Sequence, residues 1–384
     1  CVRLQPENGD LKYKLATVYR ELRYHEKAQD QLEKAIKLPS PKPEWFLLLG
    51  EVYHTLAKRT EAALAFERAI ALLREQQEKL PEDFLVWAVL GEAQSRAKQY
   101  ADAVETLRKA IALAGEKADF RVLIAMARAL ENSGDSEAAR EQYLKAVALM
   151  QKEAEEKPKD ADSYLRLGLG YQSVHDFTKE AEELSEGIEL AGGAASYSSH
   201  VALADSLDKS GKLEMAKAQF QKIYSLLSER IKEQPKDVLA HYMLANVCER
   251  LDKHDECEQQ YKTVMKLDPY FAAAYNNLGY TWIERNLNLE EGMELVRKAL
   301  ELEPDSGAYI DSLGWGYFKQ GKLDKALSEL QRALKAEIAD PTIYDHIGDV
   351  YKAKNMIEEA IEFWQKGAEK PSGRSLCRRG CAFP

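Results

Sequence analysis

The sequence predicts an all-α protein, a right-handed solenoid of about ten stacked helical hairpins. Three observations carry that expectation. Ala, Leu, Glu and Lys crowd out strand-favouring residues. A small residue that follows a large one, with an aromatic three residues on, recurs through the chain, as in Leu49-Gly50 with Tyr53 and Leu313-Gly314 with Tyr317. About twelve residues after the small residue comes an alanine, with another small or apolar residue seven further on. Two closely packed antiparallel helices explain the pattern. Large side chains fill one face of the first helix at i, i+3, i+4 and i+7. Gly or Ala at the crossing lets the second helix approach.

The hairpins follow in order. The first centres on Ala16, and its second helix carries Ala28 and Ala35. The second has Gly50, then Ala62 and Ala69; the third has Gly91, then Ala103 and Ala110. The fourth has Ala127, then Ala139 and Ala146, and the fifth pairs Gly168 with Tyr171. Ala204, Ala245 and Gly279 anchor the sixth, seventh and eighth, with Pro269 and Pro304 punctuating joints. The ninth has Gly314 with Ala326 and Ala333, and the tenth has Gly348 with Tyr351. Successive anchors lie 34, 41, 36, 41, 36, 41, 34, 35 and 34 residues apart. Each interval of 41 holds about seven extra residues, roughly two helical turns. They fall in AIALLREQQEKLPED, AVALMQKEAEEKPKD and KIYSLLSERIKEQPKD, so repeats 2, 4 and 6 are expected to have lengthened second helices that protrude. The 77-residue sum of 41 and 36 recurs about three times between Gly50 and Ala245, which duplication of a hairpin pair explains most simply.

The array is expected to run over 9–369. Residues 1–8 read as the remnant of a truncated preceding repeat, since Leu4-Gln5-Pro6 mirrors Leu302-Glu303-Pro304. Cys1 then occupies a small position of its second helix, although it could instead be the lipidated first residue of a mature lipoprotein. Residues 370–384 are basic and lack the period, and are expected to be disordered or foreign to the natural protein.

These positions resemble the tetratricopeptide repeat family, whose pattern over 34 residues is a large residue, Leu-Gly, Tyr, Ala, an aromatic, Ala and Pro. One match would mean little, but ten in phase are specific. The resemblance implies a superhelix with an inner wall of first helices and a protein-binding role.

Composition narrows the function. The chain has 384 residues, a net charge of −10 and a pI of about 5.5. So acidic a body suits nucleic acid poorly, because phosphate contacts need a basic surface. No apolar run approaches the roughly 20 residues that span a bilayer. The sequence has no phosphate-binding loop, GxSxG elbow or HExxH helix, so no enzyme, metal or cofactor is expected. No two of its seven histidines share i, i+4 spacing on one helix. His254 and Cys257 read as a loop histidine and a core cysteine, and Cys248 likewise packs in the core. Cys377 and Cys381 lie in the tail, where a stray disulfide is the simpler reading.

Helix geometry assigns the inner face to residues three before and one after each small residue. In the last four hairpins these are Tyr242 and Asn246, Asn276 and Tyr280, Asp311 and Trp315, and Asp345 and Asp349, with Asn277 beside them. Aromatics there offer contact area and amides can bond a peptide backbone. The aspartates favour a protein or peptide ligand of basic or polar character. Tyr280 and Trp315 could instead pack against the next hairpin. The first hairpins place Tyr13, Glu51, Glu92, Arg128 and Asp205 on the same face, with no sharp pattern. A subset of the family grips acidic chaperone tails through Lys, Asn, Asn, Lys and Arg. Asn246 and Asn277 match its asparagines, but Tyr242, Ala308 and Ser312 stand where cations belong, which argues against such a ligand.

From Ala274 to Lys366 the chain is similar to the C-terminal block of bacterial, often exported, proteins of this family. That likeness suggests a bacterial source and an envelope location, with the cytoplasm as the alternative. The leading expectation is a non-enzymatic scaffold or adaptor. A self-associating assembly protein, or the targeting array of an enzyme whose catalytic domain lies elsewhere, are the alternatives.

Overall fold

A computed structural model describes residues 8–21, 24–56, 58–336 and 340–368. Among them are twenty α-helices and no strand. The chain is thus an all-α solenoid of consecutive hairpins, and it divides into two compact units, 1–194 and 195–384. The expected remnant before Asn8 and the basic tail, with Cys1, Cys377 and Cys381, lie outside the described residues.

The first unit holds five hairpins. They are α1 (Gly9–Glu21) with α2 (His25–Ala35), α3 (Pro43–Thr55) with α4 (Arg59–Lys79), and α5 (Phe84–Arg96) with α6 (Tyr100–Ala114). Then come α7 (Phe120–Ser133) with α8 (Ser136–Glu156), and α9 (Ala161–Ser173) with α10 (Phe177–Ala191). The second unit repeats the design in α11 (Tyr197–Lys209) with α12 (Leu213–Glu233), and α13 (Val238–Arg250) with α14 (His254–Leu267). It continues with α15 (Ala272–Glu284) and α16 (Leu289–Leu302), α17 (Gly307–Lys319) and α18 (Leu323–Leu334), and α19 (Pro341–Ala353) and α20 (Ile357–Ala368).

All ten small residues are buried. In five of the six hairpins where the small residue is glycine, the partner is the side chain sixteen positions later. A Cβ on Gly50 would lie 2.5 Å from Phe66, one on Gly168 would lie 2.6 Å from Leu184, and one on Gly314 would lie 2.8 Å from Leu330. Real Cβ atoms do not approach so closely, so glycine here lets the two helices touch. The eighth hairpin differs. Gly279 faces the backbone of Gly292, where a Cβ would meet the carbonyl oxygen at 2.6 Å. The turn between α15 and α16 is longer, with Asn286 and Asn288 both at positive φ. The alanine pairs Ala28/Ala35, Ala62/Ala69, Ala103/Ala110, Ala139/Ala146 and Ala326/Ala333 are buried as well.

One rule governs the turns. Seven residues after the small residues of the third to tenth hairpins, Lys98, Gly134, His175, Gly211, Asp252, Asn286, Gly321 and Asn355 adopt positive φ. The next backbone N–H then reaches back to the first helix, as from Asp135 to the Leu130 carbonyl at 3.0 Å and from Lys322 to the Tyr317 carbonyl at 2.9 Å. This satisfies carbonyls that a helix end leaves unpaired. Glycine suits it at Gly134 and Gly321, whereas Lys98 and His175 accept local strain of about 1 kcal/mol.

The second helices α4, α8 and α12 each run for 21 residues, against 11 to 15 for the others. Their last turns are mostly exposed. Two of the joints that follow are pinned. The Trp87 indole donates to the Pro81 carbonyl at 2.8 Å, and a His241 ring nitrogen bonds the Pro235 carbonyl at 3.1 Å.

Candidate functional site

All nine inner-face residues of the last four hairpins lie in the second unit. The structure gathers six of them into two polar groups with different surroundings.

The first group joins α13, α14 and α15. Tyr261, wholly buried, donates its hydroxyl to the Asn246 Oδ1 at 2.5 Å. The Asn277 Nδ2 donates to the Tyr242 hydroxyl at 3.1 Å and lies 3.4 Å from both the Asn246 Oδ1 and the Tyr261 hydroxyl. The Asn276 Nδ2 donates to the Asn277 Oδ1 at 3.4 Å, and the buried Asn276 Oδ1 has no hydrogen-bond partner. Tyr242 leans on Phe271, with ring centres 4.8 Å apart. Tyr242, Asn246 and Asn277 are half-buried. Among the described residues the Asn246 amide nitrogen and the Tyr242 hydroxyl proton have no acceptor. The group therefore holds hydrogen-bond donors to spare.

The second group locks α17 to α19, and it corrects the expectation for two residues. Asp311 is only 7% exposed and Trp315 only 3%. The Asp311 carboxylate accepts from the His346 Nδ1, at 2.9 and 3.0 Å to its two oxygens. Trp315 is stacked between His346, at 4.1 Å, and Phe318, at 4.6 Å, and donates its indole N–H to Glu284 at 2.6 Å. Lys319 lies 3.4 Å from Glu284. Periodicity within α17 places both residues on the inner side of that helix. The next first helix covers that side with His346, so neither residue is open to a partner. Burial alone would pull the imidazole down, but the facing Asp311 carboxylate overrides it, helped by Asp349 and Glu284, and the His346 pKa ends above its usual value.

The remaining positions differ again. Tyr280 packs beside Ile283, Met293 and Trp315. Asp345 and Asp349 are half-buried on α19. Burial pushes the Asp345 carboxyl up, and the nearby Asp349 and Asp340 add to this while His346 opposes it. The Glu249 carboxyl is raised by burial too, and accepts from Thr281 at 3.1 Å. In the first unit the corresponding face is charge-balanced: Glu51 takes Arg20 at 2.7 Å and Arg96 at 3.2 Å. Cys248 and Cys257 are buried, and burial pushes both thiols up to about 12, so they pack as inert side chains. No group of three or more His, Cys, Asp or Glu among the described residues could hold a metal. None of their helices is long and apolar enough to cross a membrane.

Sequence reading missed Tyr261, His346 and Glu284. Tyr261 stands sixteen residues after Ala245, at the position Phe66 and Phe220 fill, and its hydroxyl was the available hint. The pairing of His346 with Asp311 becomes visible only when adjacent hairpins are stacked.

Comparison with known proteins places these hairpins. Models described as tetratricopeptide repeat match residues 13–76, and 85–117, 120–151 and 238–271. The TPR repeat-containing protein PA4667 of Pseudomonas aeruginosa is 33% identical over 131 residues, which are 34% of this chain and 22% of that protein. The small glutamine-rich tetratricopeptide repeat-containing protein 2 of Mycosarcoma maydis is 27% identical over 90 residues, 23% of this chain and 26% of that one. The chain thus spans about a quarter of the length of these relatives. Among solved structures, yeast Tom70 matches at 14% identity and a TM-score of 0.41, covering 94% of this chain and 91% of its own. A tetratricopeptide repeat protein of Parabacteroides merdae matches at 16% and 0.46, covering 65% and 91%. Such repeats are in general protein-interaction modules. The matched segments are thus tetratricopeptide repeats, and the same hairpin geometry recurs in the other described helices.

Proposed function

We propose that this chain is a non-enzymatic scaffold that holds a peptide or protein segment along the first-helix face of its second unit. The observation that carries this is the group of Tyr242, Asn246 and Asn277, half-buried amide and phenol groups fixed on adjacent helices with donors left over. Such donors can bond the carbonyls of an extended chain whatever its side chains. Asp345 and Asp349 supply charge for basic or polar side chains farther along. Asp311 and Trp315, which serve the joint between α17 and α19, are left out of the contact surface.

Selection of a phage-displayed library of random linear peptides on the intact chain tests this. Peptides rich in Lys, Arg or polar residues are expected. Their binding should weaken at least tenfold in Asn246→Arg/Asp349→Lys, first shown to be folded, and should weaken as salt rises. Acidic peptides, or peptides that bind the double variant equally well, would refute the reading.

A further inference from the structure

We infer that Tyr261 is a positioning residue, holding the Asn246 amide with its oxygen inward and its nitrogen toward the partner, so that this point of the face reads carbonyl oxygens. The inference rests on the proposed peptide-binding face and deepens it.

Three observations lead there. Tyr261 is fully buried on the second helix, beneath the face, so it cannot itself touch a ligand. Its hydroxyl meets the Asn246 Oδ1 at 2.5 Å, the shortest contact of the group. The other approach to the same oxygen is the Asn277 Nδ2 at 3.4 Å. An asparagine can present either end of its amide, and without a fixed donor behind it the two faces are close in energy. A buried phenol whose proton is directed at one oxygen removes that freedom. Burial also holds the Tyr261 hydroxyl well above its usual pKa, so it stays a donor. The same phenol lies 3.4 Å from the Asn277 Nδ2, and Asn277 gives its closest hydrogen bond to Tyr242. One buried ring therefore sets the orientation of two half-buried amides and leaves the Tyr242 proton without an acceptor among the described residues. The partner class that fits is an extended backbone whose carbonyls face α13 and α15.

The test uses a peptide selected on the intact chain as above, with Tyr261→Phe, Asn246→Leu and the double variant. Tyr261→Phe keeps the ring and its packing. It should weaken binding about tenfold, the worth of one oriented hydrogen bond, and should weaken it no further once Asn246→Leu is present. A merely structural role would lower the affinity in both backgrounds. The Asn246 side-chain amide, followed by heteronuclear NMR relaxation and assigned by its loss in Asn246→Leu, should be rigid in the parent and mobile in Tyr261→Phe. Unchanged affinity or unchanged amide mobility in Tyr261→Phe overturns the inference while the binding face stands. Peptides that bind Asn246→Leu as well as the parent overturn the face, and the inference with it.

Discussion

Gly314 shows what one residue does in this chain. A Cβ there would stand 2.8 Å from the Leu330 Cγ and 3.3 Å from its backbone nitrogen, so the second helix would have to move. Gly314→Leu is expected to cost about 3 kcal/mol or more. A calorimetric melt reads this directly, and an unchanged Tm would contradict the hairpin register. That register was legible because it depends on size: a small residue, a large one before it and an alanine twelve on follow from two helices in contact. The turn position seven residues on was less legible. Gly134 and Gly321 announce a positive φ, but Lys98 and His175 carry no such signal and are placed by the hairpins on either side. Trp315 shows the other limit. Its helix angle was readable, whereas the His346 ring stacked 4.1 Å from it belongs to a different hairpin.

At the scale of elements, α17 and α19 are joined by the buried pair of Asp311 and His346. The charged groups around it are Asp311 and Lys319 from α17, Glu284 from α15, and Asp345 and Asp349 on α19. His346 has its pKa raised in the folded chain. The stabilisation from its proton is therefore complete below the unfolded value of about 6.5, and is lost as pH rises through the higher folded value. His346→Gln should cost about 3 kcal/mol at pH 6, and the gap in Tm between parent and variant should narrow as pH is raised. A gap that is constant from pH 6 to 9 would mean that His346 is neutral throughout. The lengths of α4, α8 and α12 were legible as intervals of 41 residues, but the pins that Trp87 and His241 make to the proline carbonyls were not, since they depend on where the following helix starts.

For the whole molecule, the net charge of −10 suits the proposed scaffold role with a partner of basic or polar character. The candidate face was half legible. Asn246 and Asn277 stand where helix geometry put them and are brought together, while Asp311 and Trp315 are taken up by the next hairpin. The difference is physical. A helical wheel gives direction, and stacking decides what that direction meets.

The most direct measurement is site-specific photocrosslinking with a peptide selected on this chain. A benzophenone side chain would replace Asp205, on the same first-helix face of the second unit, in one variant and the exposed Leu226, on the second helix α12, in another. Crosslinking from position 205 and none from 226 is the predicted result. Crosslinking from 226 alone would put the partner on the second helices and contradict a binding face built from Tyr242, Asn246 and Asn277.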